Sequence, residues 1–554
     1  MVLQCEAVLR PRRRLCAPLA LVLVALAAAI AASPAAGATG RTGRYLVVFK
    51  RASAARAAAA GPRLVGRLGL SPAGRGVPAL GVLTVRGPHS ALRALERDPR
   101  VASVSPEYRR QLRRAPNDPA LTTPETAFGG LPGGGPIQWY LLREGFPAAW
   151  SVTTGAGAMV GVIDTGLDGG HPELAGKVAS AAELGSSTGA LHDADGHGTH
   201  VSGLACAATN DGVGTAGAGW GCRLVVVKAP QLRDADVIDG IVLAVDHGAQ
   251  AINMSFGGGP PSAAIDAAID YAVSHKVVLV AAASDFPDTD QGSPANQLEP
   301  NDAPTISAGR GLVVTGAEVG GRRADTGFGP QISLAAYGFA GASGPPGIIS
   351  TYPHNPTPRE TGSAACGCRR SLFGDDGYAY LEGTSMAAPQ VAALAALVGA
   401  LNPALTAGEK MRVIKQTARR AGGWNANLGW GIIDAGRALD AARRIDRYPP
   451  VSKARARPRV RVRRGGRRAA VRVRWSRADP PGHAGLLPSG VRWVDLYARR
   501  GHGRYRAVRR RSRRRSALLR LPPGVYRLYT RATDWAGNHE RRARRADVRL
   551  VVGG

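Results

Sequence analysis

Lysine is nearly missing from this chain: of 72 lysine and arginine residues only seven are lysine. Arginine, alanine, glycine and proline are abundant instead, the mark of a GC-rich coding bias, so part of the net charge of +32 reflects the genome and not a ligand. Cysteine is scarce as well, six in 554 residues, and no paired C-x-x-C spacing is present, which argues against a zinc site. Aromatic residues make up 5 %, and no aromatic platform accompanies the basic charge, so nucleic acid is not expected as a partner. Apolar runs long enough to cross a bilayer are also few. Leu15 to Ala32 is one; Met386 to Leu401 contains Pro389 and reads as a buried core helix.

The first run follows Arg10, Arg12, Arg13 and Arg14 and precedes Ala36-Gly37-Ala38, so residues 1–38 read as a secretory signal cleaved after Ala38, with an uncleaved anchor as the alternative. Cys5 and Cys16 leave with it. In an oxidising compartment the remaining four allow three pairings, and the sequence-local one is favoured: Cys206 with Cys222 and Cys366 with Cys368.

Charge divides the chain further. Residues 1–115 carry +16 and residues 451–554 carry +26, whereas the stretch between them carries −10. A length prior of roughly 150 residues per domain predicts three or four units. Arg44 to Lys50 and Val82 to Val85 read as strands and Ser90 to Arg97 as a short amphipathic helix, a small α+β unit spanning 39–115. From about 138 to 445, apolar runs at Met159 to Ile163, Leu224 to Val227, Ala251 to Met254, Val277 to Ala282 and Leu312 to Val314 alternate with the helical stretches Val237 to His247 and Ile265 to His275. Such alternation predicts an α/β domain, 116–445, with a parallel sheet buried on both faces and ligands at the carboxyl ends of its strands. Residues 446–468 read as an exposed arginine-rich linker. Beyond it, period-two segments in 469–554 predict a basic β-sandwich, and Ala532 to Asn538 resembles the final-strand segment of immunoglobulin-like modules.

Three short segments carry chemistry. Gly161 to Gly166 places Asp164 at the end of a strand, His197-Gly198-Thr199-His200 offers two histidines, and Gly383 to Pro389 places Ser385 at the start of an apolar helix. A serine hydroxyl is a poor nucleophile at neutral pH and needs a histidine to take its proton and a carboxylate to orient that histidine. The Asp, His, Ser order and the absence of a second glycine after Ser385 disfavour an α/β-hydrolase. A paired-aspartate mechanism would need a second Asp-Thr-Gly led by an apolar strand, and Asp325-Thr326-Gly327 has none.

That order and those neighbours resemble the subtilisin-like serine proteases, the subtilases, over residues 41 to 445. The resemblance implies a three-layer fold preceded by an inhibitory prodomain that ends near Val101 to Tyr108, with maturation between Gln111 and Pro116. It makes Ser385 the nucleophile, His197 the general base and Asp164 its orienting carboxylate, and leaves His200 structural. It places Ser255, Phe256 and Gly257 along the substrate backbone, with Ala282, Ala283 and Ser284 as the facing wall of the specificity pocket. No cofactor is required for the chemistry; Gln138, Glu173 and Asn210 resemble ligands of a structural calcium. The partners implied are polypeptide substrates and the chain's own prodomain.

One position departs from the family. The run Ala281-Ala282-Ala283-Ser284-Asp285 ends in aspartate where the family carries the oxyanion-stabilising asparagine. An ionised carboxylate cannot donate a hydrogen bond, so Asp285 either slows the reaction, with Ser385 left to supply the oxyanion site, or works only when protonated. A binding protein of the same fold that no longer cleaves is the rival reading, raised by Asp285 alone. For the basic tail, docking onto an anionic cell-envelope polymer competes with a merely solvated surface. The expected location is secreted or cell-envelope associated.

Overall fold

Strands rich in valine and alanine, most of them followed by a helix, assemble into a seven-stranded parallel sheet. From edge to edge the strands are Leu334–Tyr337, Leu312–Ala317, Val278–Ala282, Ala251–Met254, Met159–Asp164, Arg223–Lys228 and Val178–Glu183. The computed structural model describes residues 40–554 except 51–63, 75–76, 78–80, 110–115, 420–422 and positions 186, 343, 364, 484 and 544. The signal segment 1–38 and nearly all of the maturation interval lie outside the described residues.

Successive side chains of a strand point to opposite faces, and each face here has its own core. Val160, Val162 and Val226 pack with the helix Thr384–Leu401. Ile163, Val225 and Val227 pack with the helices Asp234–Asp246 and Ala263–Ser274 on the other side. Burying each such side chain stabilises the fold by about 1.5–3 kcal/mol, which explains why the central strands are near-continuous apolar runs. Helix Thr384–Leu401 is apolar all round because it is enclosed: from Met386 to Gly399 every residue is buried. The three-layer α/β expectation holds. Two strands of this sheet escaped the sequence reading. Val178–Glu183 is a half-exposed edge of small residues, and Leu334–Tyr337 is only four residues long.

Residues 40–109 form a four-stranded antiparallel sheet carrying the helix His89–Glu96, whose Leu92 and Leu95 pack with Val47, Phe49 and Val85. This is the α+β unit anticipated. Within the domain of the seven-stranded sheet Cys206 pairs with Cys222, and Cys366 with Cys368.

The linker assigned to 446–468 must be corrected. Val451–Arg455 and Arg459–Arg461 are strands of the C-terminal module, the first paired with Ala469–Ala478 and the second with Val548–Gly553. The arginines that suggested a solvated linker point outward, while Ala454 is buried in the module's core and Val460 and Val462 pack against it. The module is a sandwich of a three-stranded and a five-stranded sheet. Its Asn538 amide donates to the carbonyls of Asp446 and Tyr448, so the module is hydrogen-bonded directly to the chain leaving the α/β domain.

Candidate active site

The strands Met159–Asp164, Ala251–Met254 and Val278–Ala282 are neighbours, and their carboxyl ends deliver Asp164, Ser255 and the Ala283 to Asp285 turn to one edge. Strand order reverses between the first two, because the chain runs outward from Met159–Asp164 on one side before returning to the other. Such a switch point opens a crevice in parallel sheets.

Asp164 is 4 % exposed, and its Oδ1 lies 2.8 Å from Nδ1 of His197, the first residue of the helix His197–Cys206. Gly198 allows that approach, since a Cβ there would stand 2.1 Å from the carbonyl oxygen of Gly166. Burial disfavours the imidazolium, but the Asp164 carboxylate outweighs it and holds His197 above the ordinary histidine value of 6.5. Contact with Asp164 at Nδ1 leaves Nε2 as the proton acceptor. His200 is fully buried, its Nε2 is 3.0 Å from the carbonyl of Ala379, and burial pushes its pKa down to about 3. It is a neutral structural histidine. Asp168 is turned away to His354.

Ser385 is the second residue of the helix Thr384–Leu401, which packs against the His197 helix. Its Oγ donates to the Ser255 carbonyl at 3.1 Å and not to His197, while Ser255 Oγ donates back to the Ser385 carbonyl at 2.8 Å. Phe256, Gly257, Ala282, Ala283 and Ser284 line a cavity of about 770 Å³ that opens on Ser385; Ser255 sits behind it, held by the Asn253 amide. Asp285 borders the same cavity. Its Oδ1 accepts from the Thr384 N–H at 2.7 Å and lies 2.8 Å from the Thr384 hydroxyl, so the carboxylate is fixed through one oxygen at the positive end of the Ser385 helix.

Two positioning residues were not picked out from the sequence. Asp193, 5 % exposed, accepts from the Thr165 hydroxyl, the Gly196 N–H and both the N–H and hydroxyl of Thr199, joining the Asp164 turn to the His197 helix. Its place four residues before His197, at a helix start, is the one local signal. Gln291 is buried and ties the cavity wall together: Oε1 accepts from the Ser284 N–H, and Nε2 donates to the carbonyls of Asp288 and Phe328.

The three residues named for calcium meet at the loop after the His197 helix. Gln138 brackets Ala216, its Oε1 accepting from the N–H and its Nε2 donating to the carbonyl. Glu173 accepts from the N–H and hydroxyl of Thr215 and from the Tyr378 hydroxyl. Asn210 contributes its backbone N–H, which donates to both oxygens of Asp118, a buried carboxylate the sequence reading had not singled out.

Residues 155–431 match the sequence profile of the subtilase family. The chain is 30 % identical over 364 residues to the thermophilic serine proteinase of Bacillus sp. (strain AK1), covering 65 % of this chain and 77 % of that one. It is 28 % identical over 297 residues to thermitase of Thermoactinomyces vulgaris, covering 53 % and 92 % respectively. With the extracellular protease of Xanthomonas campestris pv. campestris it shares 30 % identity over 395 residues, 63 % of this chain and 61 % of that protein. An Asp–His pair and a helix-borne serine at the switch point of a parallel sheet, with a family match spanning all three motifs, lead to one conclusion: the chain belongs to the subtilase family and is a serine endopeptidase.

Proposed function

We propose that Ser385, His197 and Asp164 carry out peptide hydrolysis in this subtilase, and that the chain is made as a secreted zymogen. The observation that carries the proposal is the 2.8 Å Asp164–His197 pair, with the His197 helix packed against the one bearing Ser385. As substrate enters, the Ser385 hydroxyl leaves the Ser255 carbonyl and turns to Nε2 of His197. His197 takes its proton while Oγ forms a bond to the scissile carbonyl carbon. The resulting imidazolium is stabilised by Asp164. It then gives the proton to the departing amine as the C–N bond breaks, leaving an acyl-enzyme that water releases by the same steps. The Ser385 backbone N–H, in the first turn of its helix, donates to the oxyanion, and Asp285 occupies the second donor position. Treatment with a serine-directed fluorophosphonate is expected to leave its adduct on Ser385, located by peptide mapping. Modification elsewhere, or none at any pH, contradicts the assignment.

The unit 39–115 serves as intramolecular inhibitor until cleavage between Gln111 and Pro116. Secretion follows from the signal segment, is in keeping with the extracellular relative, and gives the oxidising setting in which the pairs Cys206–Cys222 and Cys366–Cys368 form disulfides. The arginine-rich C-terminal module is suited to docking on an anionic envelope polymer.

A structural calcium is part of the same reading. Burial pushes Asp118 up to about 6 and Glu173 up to about 8, and the Asp211 carboxylate adds to both. A divalent cation held by these acids and the loop that Gln138 and Asn210 frame would relieve that repulsion and support the fold without entering the chemistry. Saturation at about a hundred times the dissociation constant is worth about 2.7 kcal/mol. Chelation is therefore expected to lower the thermal midpoint by about 4 °C at neutral pH. An unchanged midpoint would remove calcium from the account.

A further inference from the structure

The cavity that opens on Ser385 is walled on one side by the loop following Ser284, and the charge of that wall is one-sided. Asp285, Asp288 and Asp290 all line the cavity, and no lysine, arginine or histidine among the described residues does. All three are exposed. In each, one oxygen is held by the protein: Asp288 Oδ1 accepts from the Asp290 N–H, and Asp290 Oδ1 from the Gly292 N–H and the Asn296 amide, while Asp285 is fixed at Thr384. The second oxygen of each has no hydrogen-bond partner and no cation among the described residues. That is notable in a chain with 72 basic residues, many of which pair with acids elsewhere. Phe256 and Phe286 supply apolar surface on the same walls, and Phe286 is 75 % exposed.

Resting on the proposed role of Ser385, we infer that this cavity selects a cationic side chain, arginine or lysine, on the residue whose carbonyl Ser385 attacks. The methylene stem of such a side chain packs on the two phenylalanines, and its charged head meets the free carboxylate oxygens of Asp288 and Asp290. A volume of about 770 Å³ accommodates that length. An acidic side chain would face repulsion from every carboxylate, so the pocket discriminates by exclusion as well as attraction. The maturation interval proposed above contains Arg113 and Arg114, residues of the class this cavity accepts.

Exposed ion pairs are individually weak, each worth up to about fivefold, so Asp288 and Asp290 together supply at most about twenty-fivefold. The test uses peptides matched except at the residue before the scissile bond, which is arginine, its neutral isostere citrulline, or glutamate. The mature protein is expected to prefer arginine to citrulline by about tenfold or more in kcat/KM at low salt, with glutamate poorest. The ratio should shrink as salt rises, because the carboxylates are exposed to screening. Asp288→Asn with Asp290→Asn keeps the acceptor oxygens that hold the loop and should bring the arginine-to-citrulline ratio toward one. Equal rates for arginine and citrulline in wild-type protein that cleaves both would overturn the inference while leaving the catalytic assignment intact. Failure to cleave any peptide, together with no fluorophosphonate adduct, would overturn the catalytic assignment and the pocket's role with it.

Discussion

Replacing His197 with alanine is expected to lower kcat by about 10⁶, a scale set by the corresponding histidine of subtilisin, itself a member of this family. The size of the loss follows from the site. With Ser385 Oγ donating to the Ser255 carbonyl, no other base among the described residues contacts the hydroxyl. His200 cannot substitute, because it is buried in the core with its Nε2 facing the Ala379 carbonyl. Binding should suffer far less than turnover, since His197 acts on the bond change. A tenfold loss or less, measured by steady-state hydrolysis, would mean that the proton leaves Ser385 by another route.

Substituting Asp285 with asparagine should act in the opposite direction and raise turnover at neutral pH by about 10² to 10³, the value of one oxyanion donor as measured in subtilisin. The geometry explains why so small a change should have so large an effect. Oδ1 is the fixed atom, held at Thr384, so an asparagine can keep that contact with its carbonyl oxygen and present an N–H where the aspartate presents a second acceptor. His197, held above 6.5 by Asp164, accepts a proton only when the solution is basic enough to leave it neutral, so kcat/KM of both proteins should rise through a limb above pH 6.5, with Asp285→Asn the faster of the two at neutral pH. An unchanged turnover would show that residue 285 does not face the oxyanion.

Most of this site was legible before any coordinates because its chemistry tolerates little variation. Asp164, His197 and Ser385 sit in motifs where the neighbours matter as much as the side chains: Gly198 is needed for close approach to Gly166, and Ser385 must open a helix. Asp193 and Gln291 were not legible, since they work by accepting from or donating to main-chain groups of distant segments, and nothing in a linear pattern announces such a partner. No motif marks Asp288 and Asp290, and only the fold places them on the cavity. The fold divides in the same way. The central strands, buried on both faces, were plain as apolar runs, whereas the strands at 451–455 and 459–461 were masked by arginines on their solvent face. There the alternation was the better guide than the charge.

The central claim is that Ser385 is the nucleophile of a working protease and not a remnant in a binding fold. Hydrolysis of an arginine-containing peptide by the purified mature protein, followed from acid to alkaline pH beside Ser385→Ala prepared identically, tests it most directly. The account predicts turnover in the wild type at some pH within that range and a loss of about 10⁶ in the variant. Equal rates in the two proteins, or no hydrolysis by either at any pH, would contradict it.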